Sequence, residues 1–231
     1  MTPRISFVDL AAAEPDEAVV VVDVLRAFTT VPWLLHQGAD RVLAVASRDH
    51  ARRVARSQLP GALLAGEHGG RRVPDFDLGN SPHDLQGRRL TPGPVVMRTS
   101  AGTQGLVRSV GSGLLLAASL VVADATVRHL WAAAPSRVVF VITGTSLGRD
   151  GDEDLACAEL IAARLRGEDP DPAPYLARVA SSDAGRSFGP DGEDWAPPAD
   201  LAMACEVDRF DVAFTAAPAD GIAALEVVRR R

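Results

Sequence analysis

Ala18-Val19-Val20-Val21-Val22, followed by Asp23-Val24-Leu25-Arg26-Ala27-Phe28-Thr29-Thr30, is the stretch that decides how this chain is read. Four consecutive β-branched valines with no polar neighbour suit a strand buried on both faces, the kind that parallel sheets carry beneath covering helices. The segment behind it predicts a helix, with Thr29 and Thr30 as cap candidates and Pro32 in the first turn. That helix runs through Trp33, Leu34 and Leu35 and stops at Gly38.

The same strand-then-helix alternation continues outward. Arg41 to Ala46, Ala62 to Ala65, Pro94 to Met97, Leu114 to Ala117, Val138 to Ile142 and Val212 to Thr215 read as strands. Helices are expected from the Ser47 cap to about Gln58, over Gly102 to Val110, Val121 to Ala134 and Leu155 to Arg166, near Tyr175 to Ala180, and over Ala199 to Cys205. Gly66 to Arg89 has no periodicity and many Gly, Pro, Asp and Asn residues; a loop of that length inside a compact domain is usually functional. Repeated βα units predict an α/β protein with a largely parallel or mixed sheet covered by helices. The 231 residues suffice for one domain over residues 1–231, or for two small interlocked lobes.

Composition removes several classes of function. Thirty acidic residues against 24 basic ones give a net charge of -6, so the field repels nucleic acid. All basic residues are Arg, which excludes Schiff-base chemistry and the Walker lysine and leaves anion contacts to planar guanidinium forks. Two cysteines, Cys157 and Cys205, cannot build a disulfide scaffold, and a cytoplasmic protein with reduced thiols is expected. No apolar run approaches the length of a membrane span, and the first ten residues lack the apolar core of a signal peptide. Nucleotide-fingerprint, nucleophile-elbow and phosphatase-loop signatures are absent. The acidic run Asp150 to Asp154 fails as an EF-hand, because Leu155 and Ile161 stand where Gly and Glu are needed.

Four segments at predicted strand ends could carry chemistry. Asp23 with Arg26 sits where ligands bind in open α/β sheets, a position that favours a functional role over Asp23 as a mere helix-dipole partner paired with Arg26. Glu67 follows a strand, and Asn80-Ser81-Pro82 can open a helix toward an anion; His68, Asp75 and Asp77 read as solvated or turn residues. Thr99-Ser100-Ala101-Gly102-Thr103 reads as an anion nest or as a plain capped helix. Glu153 and Asp154 open a helix, where carboxylates favour the macrodipole. The convergence of carboxylates and anion-binding turns points to a hard cation such as Mg²⁺ together with a phosphate ester, with Arg26 or Arg98 forking onto its oxygens.

These blocks resemble the 2-phosphosulfolactate phosphatase family. The resemblance rests on Asp23-Val-Leu-Arg-Ala-x-Thr-Thr, Gly66-Glu67-x-Gly-Gly, Phe76-Asp-x-Gly-Asn-Ser-Pro82, Thr99-Ser-x-Gly-Thr103 and Glu153-Asp-x-x-Cys-Ala158, in family order. It implies a three-layer α/β/α fold with a mixed, largely parallel sheet between helical layers. It also implies a Mg²⁺-dependent hydrolase that releases phosphate from 2-phospho-3-sulfolactate, a step toward coenzyme M. Carried onto this chain, Asp23, Arg26 and Glu67 are the expected catalytic residues. Asp23, Glu67 and Asp154 hold Mg²⁺, with Glu153 a further candidate. Arg26, Asn80, Ser81, Ser100, Gly102 and Thr103 bind substrate, through the backbone amides from Ser100 to Thr103 in particular. Water and a Ser or Thr hydroxyl both stay open as the nucleophile, and a homodimer stays open as the assembly.

The chain departs from the family pattern at Ala101 and His68, where the family often has Asn and Arg. Both changes remove an anion contact and predict relaxed selectivity among phosphorylated hydroxy acids. Arg98, Arg71 or Arg72 are the expected source of a second anion pocket. Two other classes compete with the enzyme: a small-anion binding protein of the same fold without turnover, and an interaction protein whose acidic loops are merely solvated.

Overall fold

The run that decides the sequence reading forms strand β2 (Ala18–Val22), and none of its five side chains is exposed. The computed structural model describes residues 2–222 and 224–230. Ahead of β2 lies β1 (Arg4–Asp9), and behind it come α1 (Ala27–His36), β3 (Arg41–Ala44), α2 (Arg48–Ser57) and β4 (Leu63–His68). The long loop expected over Gly66 to Arg89 is partly ordered by the short strand β5 (Arg71–Arg72) and a 3-10 turn at His83–Leu85. Then follow β6 (Pro94–Arg98), α3 (Gly102–Arg108), β7 (Leu114–Ala118), α4 (Ala123–Ala133), β8 (Arg137–Ile142) and α5 (Asp152–Leu165). The chain continues through α6 (Ala173–Ser181), α7 (Asp183–Arg186) and α8 (Pro198–Ala204) into the hairpin β9 (Ala213–Pro218) and β10 (Leu225–Arg230).

Helix α1 starts two residues before the predicted Thr caps. The Asp23 carboxylate accepts the Ala27 amide at 2.8 Å and starts the helix, while the Thr29 and Thr30 hydroxyls donate back to the Val24 and Arg26 carbonyls. Pro32 therefore falls inside the helix, where its missing N–H deprives the Phe28 carbonyl of a partner. The Ser119 hydroxyl supplies one, donating to Phe28 O at 2.9 Å.

Among the described residues ten strands form one sheet, in the order β1-β8-β2-β7-β9-β10-β3-β6-β4-β5. The block β1-β8-β2-β7 is parallel, and so is the block β3-β6-β4. The antiparallel hairpin β9–β10 joins them, so the two blocks run in opposite senses. Helices α4 and α5 pack on one face, over Ala18, Val20, Val22, Val138 and Phe140. On the other face α1 and α3 cover Val19, Val21, Val42, Val95 and Phe214, while α2 packs on Leu43 and Val96, which strand alternation puts on the opposite face of β3 and β6 from Val42 and Val95. This is the three-layer α/β/α arrangement with a mixed, mostly parallel sheet.

The ends of β2 and β4 lie six strand spacings apart, roughly 29 Å on a flat sheet, and on opposite edges of it. A twist of about 20–25° per strand accumulates to roughly 120–150° over six steps, which turns β4 back toward the direction of β2. Helix α3 touches β2 and β7 of one block and β3 of the other, so both blocks wrap a common core. That wrapping brings residues from both blocks to one cavity.

Candidate functional site

The cavity has a volume of about 290 Å³ and is bordered by Asp23, Arg26, Glu67, Asn80, Ser100 and Arg149, with Trp195 and Gly70 completing its wall. Asp23 follows β2 and is 5% exposed. Burial pushes its carboxyl up to about 6, and the charge of Glu67 adds to the rise; the Ala27 and Gly102 amides and the Arg149 charge oppose it. Gly102 approaches so closely that a Cβ there would stand 2.6 Å from Asp23 Oδ2.

Glu67, at the end of β4, meets Asp23 across the cavity from the other parallel block. Its carboxylate accepts the Ser100 amide, the Gly70 amide at 2.8 Å and the Ser100 hydroxyl at 3.2 Å. The turn after β6 therefore differs from the expected phosphate nest. The Ser100 amide serves Glu67, the Gly102 amide serves Asp23, and the Thr103 amide bonds Thr99 Oγ1 at 3.1 Å, which Thr99 N returns to Thr103 Oγ1. The chain's own carboxylates fill the anion-accepting positions, and the turn orients those acids in place of a phosphate.

Arg26 lines the cavity with much of its guanidinium committed. Nη1 donates to Asp200 Oδ2 at 2.7 Å and to the Trp195 carbonyl at 3.2 Å, and Nη2 donates to the Gly70 carbonyl at 2.8 Å. Its Cζ also lies over the Phe188 and Trp195 rings, 5.4 and 5.1 Å from their centroids. The peptide bond between Leu25 and Arg26 is cis. Ser81 donates to Asp200 Oδ1 at 2.8 Å, so it braces this pair and lies outside the cavity lining. Asn80 does border the cavity, and its buried Oδ1 has no partner among the described residues.

Asp154 is a further departure from the expected ligand set. Its Oδ1 accepts the Val24 amide at 2.7 Å, and its Oδ2 accepts the Gly144 amide at 2.7 Å and the Thr143 hydroxyl at 3.0 Å. It ties the ends of β2 and β8 to α5 from below the cavity. Neighbouring Glu153 is 2% exposed, and its Oε2 is buried without a partner. Burial pushes its carboxyl up to about 7, with the Asp23 charge adding to the rise. Burial and the charges of Glu153 and Asp23 raise Asp154 well above the usual carboxylate range.

Among the described residues no three His, Cys, Asp or Glu side chains are grouped to hold a metal ion. The donor set nevertheless suits Mg²⁺, which keeps most of its water and takes one or two carboxylates plus substrate oxygens. Asp23 and Glu67 border the cavity as buried acids, and the nearby acid Glu153 has one buried oxygen, Oε2, without a partner among the described residues. Asp23 and Glu67 are the pair that could hold such an ion.

Sequence reading misses Arg149, Trp195 and Asp200. Arg149 sits in the short loop between β8 and the acidic start of α5, where the acids attract attention. Trp195 belongs to a Pro- and Gly-rich connection and Asp200 to the first turn of α8, and their only signal is tertiary: their partners Arg26 and Gly70 lie more than a hundred residues away. His68 ends β4 on the exposed side, and Ala101 lines the cavity at the position where the family often carries Asn. Among the described residues no helix is long and apolar enough to cross a membrane.

Residues 7–186 match the family model described as 2-phosphosulpholactate phosphatase. A protein of Deinococcus radiodurans named "Probable 2-phosphosulfolactate phosphatase" is 42% identical over 152 residues, which cover 65% of this chain and 62% of that protein. Proteins of the same name from Carboxydothermus hydrogenoformans and Parasynechococcus marenigrum are 43% and 39% identical over 50% and 68% of this chain. The matches span 47% and 64% of those two proteins, so the chain covers less than two thirds of the length of each relative. With the model covering most of the sequence, including Asp23, Glu67, Glu153 and Asp154, the chain belongs to the 2-phosphosulpholactate phosphatase family.

Proposed function

We propose that this protein is a Mg²⁺-dependent phosphatase that hydrolyses 2-phospho-3-sulfolactate, or a related phosphorylated hydroxy acid, to sulfolactate and phosphate. In this reading it acts in the cytoplasm, on a route toward coenzyme M. The observation that carries the reading is the meeting of Asp23 and Glu67, from two opposed sheet blocks, in one cavity that also holds Arg26 and Arg149. Family membership and the names of the relatives support the choice of reaction.

Asp23 and Glu67 hold the ion in this reading. When bound, Mg²⁺ supplies the positive charge that lets a phosphate dianion approach two carboxylates. Arg26 has Nε–H and one Nη2–H left after its protein contacts, a pair of donors suited to a phosphoryl oxygen. Asn80 presents an amide at the cavity wall to orient the ester. Trp195 closes the wall, packed so tightly on Gly70 that a Cβ there would stand 2.6 Å from its ring. Asp154 and Gly102 act through Asp23 by fixing its backbone and side chain.

The test is phosphate release from a panel of phosphorylated hydroxy acids, with Mg²⁺ and with EDTA, by wild type and Asp23→Asn. Release that needs Mg²⁺ and disappears in Asp23→Asn is expected. Binding of sulfolactate without release under any condition would leave the anion-binding alternative standing.

A further inference from the structure

We propose that Arg149 recognises the non-reacting acidic group of the substrate, a sulfonate or a carboxylate, and thereby sets which phosphate esters are accepted. The proposal rests on the phosphatase reading above and adds the second anion subsite to it.

A substrate with a phosphate and one or two further acids needs positive charge at two places. The expected sources of the second lie outside the cavity lining, although Arg98 Nε is buried without a partner among the described residues. Arg71 pairs with Asp194, Arg72 donates to the Phe76 carbonyl, and Arg98 donates to the Glu67 carbonyl at 3.0 Å. These three are not among the residues that border the cavity. The Ser100, Gly102 and Thr103 amides of the turn after β6 are committed to Glu67, Asp23 and Thr99. Of the two guanidinium groups that do border the cavity, Arg26 is held by Asp200, Trp195 and Gly70 and lies against the Phe188 and Trp195 rings.

Arg149 is in the opposite condition. Among the described residues it closes no ion pair within 4.0 Å, although it borders the cavity and its charge acts on Asp23 and Glu153. An arginine beside two buried acids that engages neither is placed to receive an anion from outside. It stands by Asp23, on the wall built by the ends of β2 and β8. Glu67 and Arg26's partner Gly70 form the wall beyond. With a phosphoryl group held by Asp23, Glu67 and Arg26, Arg149 is the remaining cation of the cavity lining for its acid substituent. The planar fork of arginine suits two oxygens of a sulfonate or a carboxylate equally.

Three esters and two variants test this. Wild type, Arg149→Met and Arg149→Lys are assayed on 2-phospho-3-sulfolactate, on phospholactate, which lacks the sulfonate, and on phenyl phosphate, which lacks both acids. In Arg149→Met the ratio of kcat/KM for phosphosulfolactate over phenyl phosphate is expected to fall about 10- to 100-fold, mainly through KM. Arg149→Lys keeps the charge and loses the fork, so its ratio falls by less. If phospholactate loses as much as phosphosulfolactate, the recognised group is the carboxylate; if phospholactate is spared, it is the sulfonate. An equal loss on all three esters, or no loss on any, overturns the proposal. Titration of sulfolactate into wild type and Arg149→Met by calorimetry separates this proposal from the phosphatase reading. If wild type hydrolyses nothing, that reading fails, and the assignment of Arg149 still stands only if the substitution weakens sulfolactate binding.

Discussion

Asp200 holds Arg26 through Oδ2 at 2.7 Å while its Oδ1 takes the Ser81 hydroxyl at 2.8 Å and the His83 amide at 2.9 Å. Asp200 is fully buried and Arg26 almost so. Breaking a buried pair from one side strands the remaining charge, at a cost of about 3–5 kcal/mol. Asp200→Ala should therefore lower Tm by roughly 6–20 °C for a chain of this size, and it should release the wall that carries Trp195. An unchanged melting curve would mean that water reaches Arg26 freely.

Asp154→Asn tests the tie beneath the cavity. The carboxylate receives donors on both oxygens, from Val24 on one side and from Gly144 and Thr143 on the other. An amide must turn its NH₂ toward one of those N–H groups. The expected loss is about 1–3 kcal/mol of stability, read by chemical denaturation, together with reduced turnover as the backbone beside Asp23 shifts. If Asp154 instead held the metal directly, its substitution would change the Mg²⁺ requirement and leave the melting curve of the metal-free protein in place.

Gly102→Ala separates position from chemistry. The new methyl would meet Asp23 Oδ2 at 2.6 Å and Ala27 Cβ at 2.8 Å. Overpacking of this kind costs about 1–3 kcal/mol, and the nearest group able to yield is the Asp23 side chain. Activity should fall by about tenfold or more while the circular dichroism spectrum stays unchanged. Full activity would show that Asp23 has room to move and that its present placement does not matter.

Glu153 gives the metal-free protein a pH dependence of definite sign. Burial lifts its carboxyl from 4.5 to about 7, so between those values the folded chain keeps a proton that the unfolded chain gives up. The unfolded state then binds fewer protons, and stability falls as pH rises across that window. Thermal melts in EDTA from pH 4.5 to 8 should show this decline levelling off near 7. Glu153→Gln should make it shallower and leave the shares of Asp23 and Asp154. A stability that rises with pH over the same range would contradict a Glu153 whose burial outweighs the Ser182 hydrogen bond and the Arg149 charge.

The sequence discloses β2 to the residue, because a strand covered on both faces has no choice of composition. Strand β10 escapes notice, since Glu226, Arg229 and Arg230 dilute its apolar signal and its strand character comes from pairing with β9 and β3. The acids are legible for a local reason: Asp23, Glu67, Glu153 and Asp154 each follow a strand or open a helix. Their duties are not legible. A turn rich in small residues looks ready for phosphate until folding brings Glu67 from 33 residues away to its amides. Asp200, 174 residues from Arg26, has no local signature at all.

The strands are made in one order and seated in another. β9 and β10, the last described strands to leave the ribosome, take the middle of the sheet. Until they emerge, the nascent chain holds two parallel blocks that share no sheet hydrogen bonds among the described residues, with the edges of β7 and β3 open. Asp23 waits on one block and Glu67 on the other. The chain is therefore most exposed to edge-to-edge aggregation before β9 and β10 emerge, and the wall that Asp23 shares with Glu67 depends on their joining the two blocks.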